Sequence, residues 1–414
     1  MKFNVFKNTV FPIIIGIVLV MISCASKVKN GLNEETEVPN QFENDSSIVV
    51  GANQTEMYLP LLKGKRIGIV ANQTSVIFKN DNTNTHLVDS LVALNMDVKK
   101  VFSPEHGFRG RVDAGEIVKD DIDTKTNLPI VSLYGKNKKP TKEQLEGLDI
   151  VVFDIQDIGV RFYTYISTLH YLMEACSENN IPVLILDRPN PNGQYIDGPT
   201  MEKQHQSFLG MHPIPLVYGM TIGEYAQMVN GEKWLSNEAR CDITIIPCAN
   251  YTHNKTYSLL IRPSPNIPND QSIKLYPSLG LFEGTNVNAG RGTEFQFQRY
   301  GAPFLNPETM TFTYTPHANF GAKHPKHKSE LCYGEDLSNA TIKDEMTLKW
   351  IIKAYENTTD NPASICFWSL LVPACFVNPS VKKKSDLSEE AIKATWQDDL
   401  ERFKKTRKTY LIYP

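Results

Sequence analysis

From residue 66 onward, short apolar runs alternate with stretches in which apolar side chains recur every three or four positions. Residues 66–71 predict a strand, and residues 86–94, with Leu87, Val88, Leu91 and Leu94 at helical spacing, predict a helix. A strand over residues 98–102 and another over 129–134 follow, then a helix opening at Thr141 with Gln144 three residues on, the spacing of a capping box. Residues 150–153 read as a buried strand, Tyr165–Glu178 as a helix with Ile166, Leu169, Met173 and Cys176 on one face, and residues 182–186 as the next strand. Thr221 with Glu224 opens a further capped helix, and Ile243–Ile246 makes a further strand. Apolar strands alternating with helices predict an α/β fold, a Rossmann-like parallel sheet covered on both faces.

Length divides this picture. A single core rarely grows beyond about 250–300 residues, and the chain has 414. The three prolines of Arg262-Pro263-Ser264-Pro265-Asn266-Ile267-Pro268 break the rhythm, so a Rossmann-like domain is expected over 61–262 and a smaller α+β domain over 263–414. Near the end, Ile392, Trp396, Leu400 and Phe403 share a helical face ahead of a docked Tyr410-Leu411-Ile412-Tyr413. Upstream, Lys2 and Lys7 precede an apolar run over 10–22, too short for a comfortable membrane span, which reads as a signal peptide over 1–24. Its end, Met21-Ile22-Ser23-Cys24, resembles a bacterial lipobox, so Cys24 is expected to be acylated; an ordinary secretory signal is the alternative. Residues 25–60, polar and poor in large apolar side chains at their start, read as a flexible tether. The expected location is a bacterial membrane, by lipid anchor, outside the cytoplasm.

A net charge of −3 gives no basic field to draw a phosphate backbone, which excludes nucleic acid as an expected partner. Besides Cys24, Cys176, Cys241, Cys248, Cys332, Cys366 and Cys375 show neither a CxxC pair nor zinc spacing, and are expected as buried thiols without a structural disulfide. No GxGxxG follows the first strand, where Ala71-Asn72-Gln73-Thr74 stands, so no dinucleotide cofactor is expected; no GxSxG elbow or P-loop occurs.

Chemistry collects where strands end, the ligand-binding edge of open α/β sheets. Asn72, Glu105, Asp154 with Asp157, and Asp187-Arg188 with Asn190 all fall at such ends. Two carboxylates across a crevice can cleave a glycosidic bond, one protonating the leaving oxygen and the other supporting the sugar cation or activating water. Glu105 in Ser103-Pro104-Glu105-His106-Gly107 and Glu283 in Phe282-Glu283-Gly284 are the favoured pair. The plainer alternatives are a salt bridge from Glu105 to Arg109 or Arg111, and a loop-capping role for Glu283. Asp154 and Asp157 could meet sugar hydroxyls or Arg161; two carboxylates without a nearby histidine make a weak metal site, and no metal is expected. Arg161, Tyr163 and Tyr165 would suit a sugar carrying a carboxylate, or else pack internally. His106 could tune Glu105 or bind substrate. His317, His324 and His327 read as a solvated loop, and Glu224 is explained by its capping box.

From about residue 64 to the end the chain resembles the YbbC/NamZ type of peptidoglycan exo-β-N-acetylmuramidase. The resemblance is carried by Gly68-Ile69-Val70-Ala71-Asn72-Gln73-Thr74, Ser103-Pro104-Glu105-His106-Gly107, Phe153 through Tyr165, Leu186-Asp187-Arg188-Pro189-Asn190-Pro191 and Gly280-Leu281-Phe282-Glu283-Gly284-Thr285. It implies an interdomain active site, no cofactor, and removal of β-1,4-linked N-acetylmuramic acid from the non-reducing end of cell-wall fragments. It also implies that the catalytic glutamates fall on Glu105 and Glu283, and it decides for Glu283 over Glu294. On this expectation Glu105 is the general acid, Glu283 the base or the orienter of the substrate's N-acetyl group, and Arg161 or Arg291 the partner of the lactyl carboxylate. The rival expectation is a membrane-tethered lipoprotein that binds muropeptides or other glycans without cleaving them.

Overall fold

Ile67–Ala71 (β1) is buried along its whole length, and its side chains divide between the two faces of the sheet it centres. In this computed structural model, which describes residues 47–80, 83–110, 116, 119–358 and 388–414, that division is visible in the core. Ile69 packs with Val152, Leu184 and the inner face of the helix Leu87–Ala93, whereas Val70 packs with Val151, Phe153 and Ile185 under the helix Tyr165–Glu178. Burial on both faces is the condition a parallel sheet requires.

In chain order the elements are α1 (Thr55–Leu62), β1, the hairpin β2 (Val76–Phe78) and β3 (Asn84–His86), α2 (Leu87–Ala93), β4 (Val98–Ser103), β5 (Asp121–Ile122), β6 (Pro129–Ser132), α3 (Lys142–Leu145), β7 (Ile150–Asp154), α4 (Tyr165–Glu178), β8 (Val183–Leu186), α5 (Ile222–Gly231) and β9 (Ile243–Ile246). The main sheet runs β5-β6-β4-β1-β7-β8-β9, parallel except for β5. Without β5, the strands follow the 3-2-1-4-5-6 order of doubly wound sheets, which places the switch point between β1 and β7. The capping boxes at Thr141 and Thr221 both form. α4 is buried on more than its apolar face because the 199–214 loop lies over it: Ser167 Oγ donates to the Phe208 carbonyl at 2.7 Å, and His170 Nδ1 stands 3.0 Å from His212 Nε2.

The second half is α+β. α6 (Asp270–Leu279) leads into a 3-10 turn, Gly280–Gly284, and β10 (Arg299–Ala302), β11 (Phe312–Tyr314) and β12 (Cys332–Asp336) form an antiparallel sheet in the order β10-β12-β11. α7 (Lys349–Glu356), α8 (Glu389–Ala394) and α9 (Gln397–Lys408) complete it. Ile392, Trp396, Leu400 and Phe403 are all buried, although the single helical face is broken: Ile392 lies in α8, Leu400 and Phe403 in α9, and Trp396 at the N-cap between them. Tyr413 docks against the first half, its hydroxyl donating to Asp187 at 2.6 Å. One hydrophobic cluster runs from under β1 and α4 through α6 to α9, across the expected boundary at 262/263.

Cys176, Cys241, Cys248 and Cys332 are buried free thiols. Among the described residues no helix is long and apolar enough to cross a membrane. The expected signal peptide, the expected acylation site Cys24 and most of the expected tether, together with Arg111, Cys366 and Cys375, lie outside the described residues.

Candidate active site

β4 ends at Ser103, and the chain then reverses in a turn closed by Gly107 N–H donating to the Pro104 carbonyl at 3.1 Å. His106 and Gly107 take left-handed conformations in succession, with φ of 71° and 79°. A non-glycine residue held there costs on the order of 1–3 kcal/mol, strain that gathers at functional sites. Glu105 projects from this turn. Its Oε2 accepts from Thr164 Oγ1, one residue before α4, at 2.9 Å, and the Tyr134 hydroxyl, just past β6, also bonds to it. Burial and the Glu105 charge both push the Tyr134 hydroxyl up, so it remains a donor. Arg109, an expected partner of Glu105, instead bridges Asp89 at 2.9 Å and Asp123 at 2.8 Å.

Glu283 comes from the other half, on the 3-10 turn after α6. A Cβ on Gly280 would stand 2.6 Å from the Phe162 ring, so glycine is what lets this turn lie against the aromatic wall. Lys326 holds the turn: its Nζ donates to the carbonyls of Phe282 at 2.8 Å and of Glu283 and Val287 at 3.3 Å, and also to that of Thr285. Burial lowers the Lys326 ammonium to about 8, with the Glu283 charge working against that fall. Arg291 Nη1 meets Glu283 Oε1 at 3.2 Å and Nη2 donates to the Gly321 carbonyl at 3.2 Å, while the buried Nε has no hydrogen-bond partner among the described residues. Burial raises the Glu283 carboxyl, Arg291 and Lys326 pull it down, the Glu105 charge raises it further, and the net direction is up. The Tyr276 hydroxyl bonds to Glu283.

The two turns face one cleft of about 270 Å³, lined by Glu105, Glu283, His106, Tyr134, Arg291 and an aromatic wall. In the wall Phe162 and Tyr276 meet edge-on at 5.2 Å between ring centres, Tyr163 and Tyr165 at 4.9 Å, and Tyr276 and Phe297 at 4.7 Å. Ser264, Asn266 and Ile267, from the segment expected as the domain boundary, complete one side.

The cleft thus gathers Glu105, Glu283, His106, Tyr163, Tyr165 and Arg291. The remaining strand-end residues are occupied elsewhere. Asp154 is fully buried in a two-pronged ion pair with Arg188, 2.6 and 3.0 Å, and Arg188 also donates to the Val76 carbonyl. Asp187 accepts from Thr221, Gly223 N–H and Tyr413, and burial pushes it up to about 6. Asp157 accepts from Tyr218 and Gly159 N–H, and burial pushes it up to about 7. Asn190 donates to the Met220 carbonyl, and Asn72 binds Thr74 through Oδ1. Arg161 is 2% exposed and donates to the carbonyls of Pro199 and Ile214, so the lactyl-carboxylate expectation passes to Arg291 alone. Glu294 is exposed and lies outside the cleft lining.

Sequence reasoning missed Tyr134, Thr164, Tyr276 and Lys326. Tyr134 had a signal, since it closes a predicted strand and strand ends were the guide. Lys326 sits in the histidine-rich segment read as a solvated loop; of that segment His327 is half-buried and contacts the Asn286 carbonyl. Among the described residues no group of three or more metal-ligating side chains gathers.

A doubly wound sheet whose edge, closed over by a second half, presents two carboxyl groups, an aromatic wall and a guanidinium around a cleft of single-ring size has the features of a glycoside hydrolase. Two family descriptions match nearly the whole described chain: exo-beta-N-acetylmuramidase NamZ, N-terminal, over residues 67–271, and its C-terminal counterpart over 274–413. The chain belongs to this exo-β-N-acetylmuramidase family of glycoside hydrolases. It is 37% identical over 434 aligned positions, 98% of its length and 100% of the relative, to the peptidoglycan beta-N-acetylmuramidase NamZ of Bacillus subtilis (strain 168). Two crystal structures of DUF1343 family proteins from Bacteroides fragilis share the fold, at TM-scores of 0.79 and 0.71 with 45% and 27% identity, each covering 89% of this chain and 99% of its own.

Proposed function

We propose that this protein removes N-acetylmuramic acid from the non-reducing end of peptidoglycan-derived glycans, using Glu105 and Glu283 as its acid–base pair. The observation that carries the reading is the meeting of these two carboxyls, from separate halves of the chain, in a cleft of about 270 Å³ with Arg291 beside one of them. That volume is at the small end of ligand sites, room for one ring, which suits cleavage of a terminal sugar.

The roles differ from the sequence expectation. Burial and the Glu105 charge raise Glu283, so Glu283 is the group suited to carry the proton and deliver it to the leaving oxygen. Glu105, which receives hydroxyls from Thr164 and Tyr134, acts as acceptor, activating water or orienting the substrate's N-acetyl group. The lactyl carboxylate binds Arg291. Its negative charge weakens the pull of Arg291 on Glu283, so a muramic substrate raises the acid further while a glucosamine analogue does not. Incubation with N-acetylmuramyl-β-1,4-N-acetylglucosamine and analysis of the products tests the reading: two monosaccharides are expected, and binding without cleavage would leave a glycan-capturing protein instead.

The lipobox-like Met21-Ile22-Ser23-Cys24 supports a lipid-anchored location outside the cytoplasm. Incorporation of labelled palmitate that is abolished by C24A is the expected result, and unchanged labelling would contradict it.

A further inference from the structure

Outside the cleft, one group of aromatic side chains has no place in the chemistry above. Phe208 and Leu209 form the tip of a tight turn, Ser207 and Gly210 exchanging backbone hydrogen bonds at 3.0 Å. Leu209 lines the cleft, and Phe208, half-buried, stands beside its mouth. The turn is tied to α4 through Ser167 Oγ, and from the same helix the Tyr171 ring lies nearly parallel to Phe208, at 6.1 Å and 10°. Tyr134, which lines the cleft and bonds to Glu105, has its ring 6.2 Å from Phe208 and tilted by 56°. Lys138, from the loop after β6, holds its ammonium 4.5 Å from the centre of the Phe208 ring and makes no ion pair among the described residues.

Three separate parts of the fold therefore bring half-buried rings into one strip that adjoins the cleft where Tyr134 and Leu209 line it. A core would have buried these rings fully, and a solvated loop would not have laid Phe208 parallel to Tyr171. The geometry points to a second sugar subsite: the Tyr134–Phe208–Tyr171 strip receives the ring that follows the scissile bond, the N-acetylglucosamine leaving group, and Lys138 at its border meets the carboxylate of the unit beyond. This rests on the muramidase reading, because a one-ring cleft that takes the terminal sugar leaves the aglycone only the mouth to occupy. Aromatic faces suit the apolar face of a pyranose, and a lysine free of carboxylate partners suits an anionic extension.

The test compares ligands that reach the strip with one that does not. With N-acetylmuramyl-N-acetylglucosamine as substrate, F208A should raise KM about five- to tenfold, the scale of one lost ring contact. The inhibition constant of free N-acetylmuramic acid, confined to the cleft, should stay unchanged, and F208Y should restore the KM. K138A should weaken a tetrasaccharide bearing a second lactyl carboxylate and spare the disaccharide. An unchanged disaccharide KM in F208A would overturn the proposal, as would an equal loss for the monosaccharide, which would make Phe208 a support of the cleft. Wild-type protein that leaves the disaccharide intact would refute the muramidase reading itself. The strip is then judged by calorimetry, where a disaccharide bound no more tightly than the monosaccharide refutes it too.

Discussion

Two groups of charged residues at the carboxyl edge of the main sheet, one of them completed by Glu283 from the second half, have opposite fates. At the switch point between β1 and β7, where a doubly wound sheet usually binds a nucleotide, Asp154 and Arg188 close on each other and Asp187 is filled by Thr221, Gly223 and Tyr413. One step along the sheet, past β4 and β6, Glu105 lines an open cleft together with Glu283 from the second half; Thr164 and Tyr134 hydroxyls meet Glu105, Arg291 meets Glu283, and Lys326 secures the peptide frame of the Glu283 turn. Residue type does not separate the groups; partnership does. Where a carboxylate is enclosed by its partners, as Asp154 and Asp187 are, it forms interior structure, and where two carboxyls line an open cleft, as Glu105 and Glu283 do, the site stays available for a ligand.

The sharpest way to break this contrast is to neutralise one member of the facing pair. E105Q and E283Q should each lower turnover on the muramyl disaccharide by roughly 10²–10⁴-fold while the melting temperature holds, since general acid–base groups contribute on that scale; a Tm loss matching the activity loss would place them with the structural group. The reverse pattern is expected at the sealed knot. D154A leaves the Arg188 guanidinium buried without its carboxylate and should cost about 3–5 kcal/mol of stability, read by urea denaturation. K326M removes the cation gripping the Glu283 turn, so kcat should fall several-fold with KM little changed; K326R restoring kcat would mark a positioning role, and unchanged kcat in K326M would contradict it. A dependence on pH is expected at Asp157. Its carboxyl is raised from 3.8 to about 7 in the fold, so the folded state holds a proton that the unfolded state releases. Its stabilising contribution is therefore complete below about pH 4 and is lost as pH rises toward 7. In a Tm–pH series D157N should remove that decline and leave activity intact.

Much of the α/β half is legible in the sequence because most of its strands are apolar runs, α3 and α5 begin at capping boxes, and α4 shows its apolar face at helical spacing. Tyr165–Glu178 and Ile243–Ile246 coincide with their predicted spans. The second half hides its strands. β10, β11 and β12 are three to five residues long, and where β10 meets β12, Gly301 and Gly334 place backbone against backbone, leaving no alternation to read. For the site, strand-end reasoning finds Glu105 but cannot tell it from Asp154, because the distinction is the presence of Arg188 within hydrogen-bonding distance, a fact of packing. Tyr276 and Lys326 belong to segments whose role emerges only when the second half closes over the first.

The central claim is that Glu105 and Glu283 cleave the bond of a terminal muramic residue, with the proton supplied by Glu283. Release of nitrophenol from 4-nitrophenyl β-N-acetylmuramic acid tests it most directly, because this leaving group needs little protonation. The account predicts that wild-type protein cleaves this glycoside and not its N-acetylglucosamine counterpart, that E283Q keeps a large share of the rate, and that E105Q loses it. Equal cleavage of both glycosides, or near-normal rates in E105Q, would contradict it.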